Sequence, residues 1–233
     1  MSAIKLYGYF RSSTTYRVRI ALQVKAVSFE TVPVNLVKAE QRGADYLALN
    51  PQGRVPTLFH GDTILTQSMA IIEYLDDIYP ENKLVFGDAA QKAYIRRLSQ
   101  LIACDSHPMT NLNVLQYLTG TLGANDAQKD QWYADFATAA MVAFEAALAW
   151  EGRSGLYCCG DTVSMADLCL IPQMYNLRRF NIALDAFPLC RAIEENCMKL
   201  TAFQMAAPEM QPDAPSDLVP IHGPHAPFLR NAA

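Results

Sequence analysis

The sequence predicts an α/β domain over residues 1–81, an all-helical domain over 88–211 and a proline-rich tail over 212–233. Three observations predict it. The first 80 residues alternate strand and helix patterns in the order βαβαββα. Beyond them no strand pattern appears, and apolar residues recur at helical spacing. Six of the chain's 13 prolines (208, 212, 215, 220, 224, 227) crowd the last 26 residues, too many for regular helix.

The elements follow in order. Residues 3–9 alternate loosely and read as a strand. Residues 15–25 place Tyr16, Val18, Ile20, Ala21, Leu22 and Val24 on a helical stripe. Residues 28–35 read as a second strand. Residues 39–51 read as a short helix stopped by Asn50-Pro51. Two strand patterns then flank His60-Gly61-Asp62, a hairpin signal. A helix runs from Ser68 to the stop at Pro80. The first two strands are each followed by a helix, so they should be parallel, and the hairpin should add an antiparallel edge. That is the thioredoxin-like arrangement. Past a linker at 81–89, Tyr94, Leu98, Leu101 and Ile102 form one stripe. Trp132, Phe136, Ala140, Phe144 and Leu148 form another, and 164–180 and 189–200 read as two more helices. The tail is expected to wrap the surface or be disordered.

Bulk properties narrow the function. Of 233 residues, 51% are hydrophobic and only 18% charged, below the ~25% typical of globular proteins. The net charge of −4 argues against a general nucleic-acid binder. No apolar run approaches the roughly 18 residues of a membrane span, and no signal-peptide pattern opens the chain, so a cytoplasmic protein is expected. The six cysteines (104, 158, 159, 169, 190, 197) include no C-x-x-C and read as buried reduced thiols; Cys158-Cys159 is a vicinal pair. No metal site is expected.

The chemistry gathers at three places. A thioredoxin-like half normally opens its first helix with C-x-x-C. Here Ser12-Ser13-Thr14-Thr15 stands there. One hydroxyl suffices for an N-cap. A surplus at the positive end of a helix would stabilise a thiolate brought by a ligand. Val55-Pro56, just before the third strand, is expected to be a cis bond that leaves the Val55 N–H and C=O facing outward for an extended peptide. Ser68 is expected to cap its helix, and that helix start, beside the Gln67 amide, is a ready anion site. A short anionic peptide with a thiol satisfies all three, and glutathione is such a peptide.

The strings "YFRSSTTYRVRIAL", "ALNPQGRVPTL", "LTQSMAIIEYLD" and "CGDTVSMADLCLIPQ" strongly resemble the zeta class of glutathione transferases, which includes maleylacetoacetate and maleylpyruvate isomerases. The resemblance spans residues 3–213. It implies the glutathione transferase fold, a homodimer, a place in aromatic amino acid catabolism and glutathione as cofactor. It also implies site residues. Ser12 would hold the thiolate, with Ser13 supporting and Thr14 lining the pocket. Gln41 would reach the glycine end, Val55 would pair with the peptide, and Gln67 and Ser68 would hold the γ-glutamyl carboxylate. His107, Asn111 and Asn113 would contribute from the helical half, His107 and Asn111 being spaced to share one helical face. Arg11 and Arg179 would bind an anionic substrate. Two positions depart from the family: Thr14 replaces the cysteine of many relatives, and Asn113 stands where some bacterial relatives have arginine. Other candidate cations are Arg17, Arg19 and Arg178. Ser164-Met-Ala-Asp167 reads as a capping box that serves folding. The activity implied is thiolate addition to a cis double bond, rotation and elimination, with conjugation of α-halo acids or peroxides as the alternative.

Overall fold

The structure is a computed structural model that describes residues 3 to 221. It divides into two compact units. One runs to Val85 and includes the returning segment Lys199–Pro220; the other is built on Phe86–Met198. The return differs from the boundary expected from the sequence, which left 199–211 with the helical half.

The first unit holds β1 (Ile4–Gly8), α1 (Ser13–Val24), β2 (Phe29–Pro33), a 3₁₀ turn (Glu40–Arg42), α2 (Ala44–Leu49), β3 (Thr57–His60), β4 (Thr63–Thr66) and α3 (Ser68–Ile78). The sheet order is β2-β1-β3-β4, with β1 parallel to β2 and the hairpin antiparallel, as expected. Leu6 lies opposite Thr31 on one side and Leu58 on the other. Gly61 turns the hairpin at φ +59°, where a Cβ would be strained.

Helix α1 is buried on almost every side, from Thr15 to Leu22. It packs against α3 and against α10 (Thr201–Ala206) of the returning segment. Arg19 ties that segment down: its Nε donates to the Ala206 carbonyl at 2.8 Å, and Nη2 donates to the Phe10 carbonyl at 2.9 Å. The Phe10 N–H donates to Asp213 at 2.9 Å. Ala214 and Leu218 pack on a cluster of Tyr9, Phe10, Val34, Tyr46 and Val55. One arginine, one backbone N–H and two apolar side chains thus explain why a proline-rich stretch wraps this unit. The part of the tail beyond 221 lies outside the described residues.

Beneath α3 a buried ion pair closes the unit. Lys25 Nζ lies 2.8 Å from Asp76, whose carboxylate also accepts the Leu84 and Val85 N–H groups. A buried charge pair holds only when its remaining hydrogen bonds are satisfied, as these are.

The second unit is helical. It contains α4 (Ala89–Gln100), a π-turn (Leu101–Ser106), α5 (His107–Thr110), α6 (Leu112–Gly120), α7 (Asp126–Glu151), α8 (Met165–Arg179) and α9 (Pro188–Cys197). Pro108 lacks an N–H, so the ordinary bond to the carbonyl of residue 104 cannot form; the backbone widens into the π-turn just before it. Helix α8 is the core element. Ser164 and Asp167 form its capping box, and the buried Asp167 carboxylate accepts from the Cys158 N–H and from the Ser164 N–H and hydroxyl, each at 2.8 Å. Arg178 pairs with Glu194, fixing α8 to α9 with a second bond of 2.6 Å.

Candidate active site

At Gly8 the chain leaves β1 and passes close under α1. A Cβ there would lie 2.3 Å from Thr15 Cγ2, so only glycine lets the helix start this near the strand end. Ser12 is the N-cap of α1: its Oγ accepts the Thr15 N–H at 3.2 Å. Ser12 Oγ also lies 2.9 Å from Thr14 Oγ1, and Thr14 donates to the Val55 carbonyl at 3.0 Å. Ser13 is buried, and the buried Thr15 hydroxyl has no partner among the described residues. No acidic side chain stands in the first turn, so nothing opposes the positive end of the helix dipole. Arg11 is exposed, its guanidinium 5.9 Å from the Phe10 ring centroid.

Val55-Pro56 is cis, as expected. The Val55 carbonyl accepts the Thr14 hydroxyl, which uses one of its two lone pairs and leaves the other for the expected peptide. A cysteine at 14 would be a far weaker donor.

Gln41 sits in the 3₁₀ turn, 4% exposed, and its Oε1 has no donor among the described residues. Gln67 adopts φ +69°, ψ 112°, a conformation rare for a residue with a side chain, and its Nε2 donates to Gln52 at 2.9 Å. Ser68 was expected to cap α3. It is instead the first helical residue; Gln67 takes the cap position and makes no side-chain cap bond. The opening N–H groups of α3 therefore lack a side-chain cap, and again no acidic residue stands in the first turn. Arg17 Nη1 donates to Ser68 Oγ at 3.4 Å.

In the helical unit, His107 opens α5 after the π-turn. Asn111 breaks the helix with extended backbone, so His107 and Asn111 do not share a helical face as their spacing suggested. The Asn111 amide caps α6: Oδ1 accepts the Asn113 and Val114 N–H groups, and Nδ2 donates to the Pro108 carbonyl at 2.7 Å. Asn113 is half-buried in the first turn of α6. Arg179 donates to Asn176 at 3.0 Å and lies 5.5 Å from the Phe180 ring centroid. Of the other cations, Arg178 is engaged by Glu194 and Arg19 by backbone carbonyls.

Tyr133 is a residue that sequence reasoning missed. It stacks on Phe180 with ring centroids 3.5 Å apart, and burial pushes its hydroxyl up to about 12, held back by the Arg179 charge and the Thr110 hydroxyl. It therefore joins the Arg179 end of α8 to the segment that carries His107. Its signal was a polar handle directly beside the apolar stripe of α7.

The family model "Glutathione S-transferase, N-terminal domain" matches residues 2–77. A probable maleylacetoacetate isomerase from Vibrio cholerae is 42% identical over 216 residues, 92% of this chain and 100% of that protein. The holo structure of a maleyl pyruvate isomerase, described as a bacterial zeta-class glutathione S-transferase, has a TM-score of 0.89 and 42% identity, covering 91% of this chain and 100% of that one. The chain belongs to the zeta class of glutathione transferases. The crystal structure of a family member, maleylacetoacetate isomerase from Methylobacterium extorquens AM1 with bound malonate and GSH, has a TM-score of 0.88 at 37% identity, covering 91% of this chain and 99% of that one.

The residues present fit glutathione on their own chemistry. The orphaned Gln41 amide oxygen suits a peptide N–H, the α3 start suits a carboxylate, and the α1 start with Ser12 suits a thiolate. Among the described residues no group of three or more His, Cys, Asp or Glu could hold a metal. No helix there is long and apolar enough to cross a membrane.

Proposed function

We propose that this zeta-class protein is a glutathione-dependent cis–trans isomerase of a maleyl β-diketo acid, with maleylacetoacetate, turned into fumarylacetoacetate, as the substrate. The observation that carries the reading is the Ser12 hydroxyl at the unopposed start of α1, in the place of a redox thiol. Bound glutathione would supply a thiolate that adds to the cis double bond and leaves once the bond has turned. The protein's residues then have three tasks. Ser12 and the α1 start lower the thiol pKa from about 8.5 toward neutrality. Ser13, Thr14, Gln41, Val55, Gln67 and Ser68 hold the peptide. Arg11 and Arg179 clamp substrate carboxylates, because a guanidinium matches a carboxylate with two parallel bonds. His107 and Asn113 keep their assignment to glutathione; the Asn111 side chain instead shapes the turn that presents them.

Maleylpyruvate is the second reading, favoured by the 42% identity to the maleyl pyruvate isomerase. A cytoplasmic homodimer acting in aromatic amino acid breakdown completes the proposal. An apolar groove supports the dimer: Trp150, 83% exposed, borders Leu101, Ala143, Ala146 and Ala147 beside Arg97, with exposed Val142 nearby on α7.

The test is a spectrophotometric assay with catalytic glutathione on wild type and Ser12→Ala. Turnover that far exceeds the glutathione present and collapses in the variant supports the isomerase. Activity on maleylpyruvate alone moves the substrate to that acid. Stoichiometric loss of glutathione moves the function to conjugation.

A further inference from the structure

Helix α1 carries two arginines almost out of solvent, Arg17 at 2% and Arg19 at 1% exposure. Arg19 is accounted for by the carbonyls of Phe10 and Ala206 and by the face of Tyr16. Arg17 is not. No acidic side chain among the described residues pairs with it, its Nε has no partner, and Nη1 makes one long bond of 3.4 Å to Ser68. A desolvated guanidinium with no opposite charge beside it is costly to keep buried. A core position with no other duty would be filled more stably by an apolar side chain of similar length.

The surroundings add donors and no acid. Ser68, itself 4% exposed, opens α3, an 11-residue helix with no side-chain cap and no acid in its first turn. The Gln67 side chain is exposed beside it. A buried cation, an uncapped helix start and a hydroxyl together lack one thing, an anion.

We propose that Arg17 is a positioning residue for the α-carboxylate of the γ-glutamyl group, acting through Ser68. This rests on the glutathione reading above. Arg17 is too deeply buried to clamp the ligand itself. It donates to a lone pair of Ser68 Oγ, which leaves the single Ser68 hydroxyl hydrogen to point at the ligand. A charge behind the hydroxyl makes that donor stronger, and the low local dielectric amplifies the effect. The bound carboxylate, relayed through Ser68, in turn supplies the opposite charge that Arg17 lacks.

The experiment compares dissociation constants for glutathione and for an analogue whose γ-glutamyl α-carboxylate is an uncharged amide. Wild type should prefer glutathione. Arg17→Met should weaken glutathione about tenfold or more and the analogue by no more than about twofold, the difference being one charge-assisted interaction. The pKa of the bound thiol should not move. Equal losses for both ligands would make Arg17 a packing residue and overturn the proposal. So would a wild type that binds glutathione with no preference over the amide, a result that leaves the glutathione reading standing. A wild type that binds neither ligand removes both readings. If Arg17→Met does not fold, Arg17→Lys decides. Its point charge cannot reproduce the guanidinium's reach, so glutathione should weaken and the amide should not; an equal change in both overturns the idea.

Discussion

The Thr14 hydroxyl donates to the Val55 carbonyl at 3.0 Å, and that bond decides where the Ser12 proton goes. A hydroxyl has one hydrogen. Thr14 uses its own on Val55, so across the 2.9 Å contact Ser12 must be the donor to Thr14. A thiolate at the α1 start competes with Thr14 for the Ser12 proton. Removing the competitor should help the thiolate. Thr14→Val is expected to lower the pKa of bound glutathione by up to about 0.7 units, the equivalent of a net hydrogen bond of about 1 kcal/mol. Titration of the thiolate's ultraviolet absorbance checks it, and an unchanged or raised pKa refutes the relay.

Ser12 carries two duties that substitution can separate. Alanine removes both the cap and the proposed thiolate donor. Glycine is nearly as good a cap, losing only a few tenths of a kcal/mol against about 1 for alanine. Ser12→Gly should therefore melt close to wild type while losing isomerase activity as fully as Ser12→Ala. Thermal denaturation alongside the assay reads both. Activity that tracks melting temperature across the two variants would reduce Ser12 to a cap.

Tyr133 makes the protein alkali-sensitive. An unfolded tyrosine ionises near 10, and burial holds Tyr133 to about 12. Its contribution is complete below pH 10. It falls as pH rises through the folded value, because the unfolded chain then binds fewer protons. The loss should reach up to about 2 kcal/mol by pH 12. Urea melts from pH 9 to 12 should fall more steeply for wild type than for Tyr133→Phe; parallel slopes would argue against it.

Of the cysteines, Cys104 is exposed and the other five are buried. Burial pushes Cys158, Cys190 and Cys197 well up and Cys159 to about 12. The thiolate is the reactive form. A chromogenic disulfide reagent at pH 8 should therefore titrate one fast thiol per native chain and six after denaturation. A second fast native thiol would show the helical unit opening.

If α7 carries the dimer contact, a charge in place of Trp150 should break it. Trp150→Asp is expected to halve the mass seen by light scattering without lowering helix content. A wild-type protein that already runs as one chain would dismiss the dimer.

How much of this was legible beforehand depended on range. The strands and the antiparallel β3–β4 hairpin follow from period-2 alternation and the turn at Gly61, both local signals. A hydroxyl cap somewhere in Ser12–Thr15 and the cis bond at Val55 were readable because each needs only a few neighbours. The misreadings came from distant partners or local backbone. Arg178 looked as available as Arg179 until Glu194, sixteen residues on, claimed it. Ser68 looked like a cap because the backbone of Gln67, at φ +69°, leaves no mark in residue type. Asn111 seemed to share a face with His107 until the helix broke there, an event that Pro108 hints at without locating. Arg17 and Arg19 lie on opposite faces of α1, and the pattern does not reveal that both faces are buried; Arg19 is satisfied in part by Ala206, 187 residues away.

That segment also orders events during synthesis. The α/β unit is begun first, yet α1 cannot bury its outer side, nor Arg19 and Phe10 find Ala206 and Asp213, until nearly 200 further residues have been made. The helical unit draws all of its described residues except Ile221 from Phe86–Met198 and has far less such debt. Closing so long a loop is slow, and contacts of high sequence separation form late. The half of the molecule that emerges first is thus completed last, and a nascent chain halted before residue 199 would present a helix bearing two arginines and an apolar flank to chaperones.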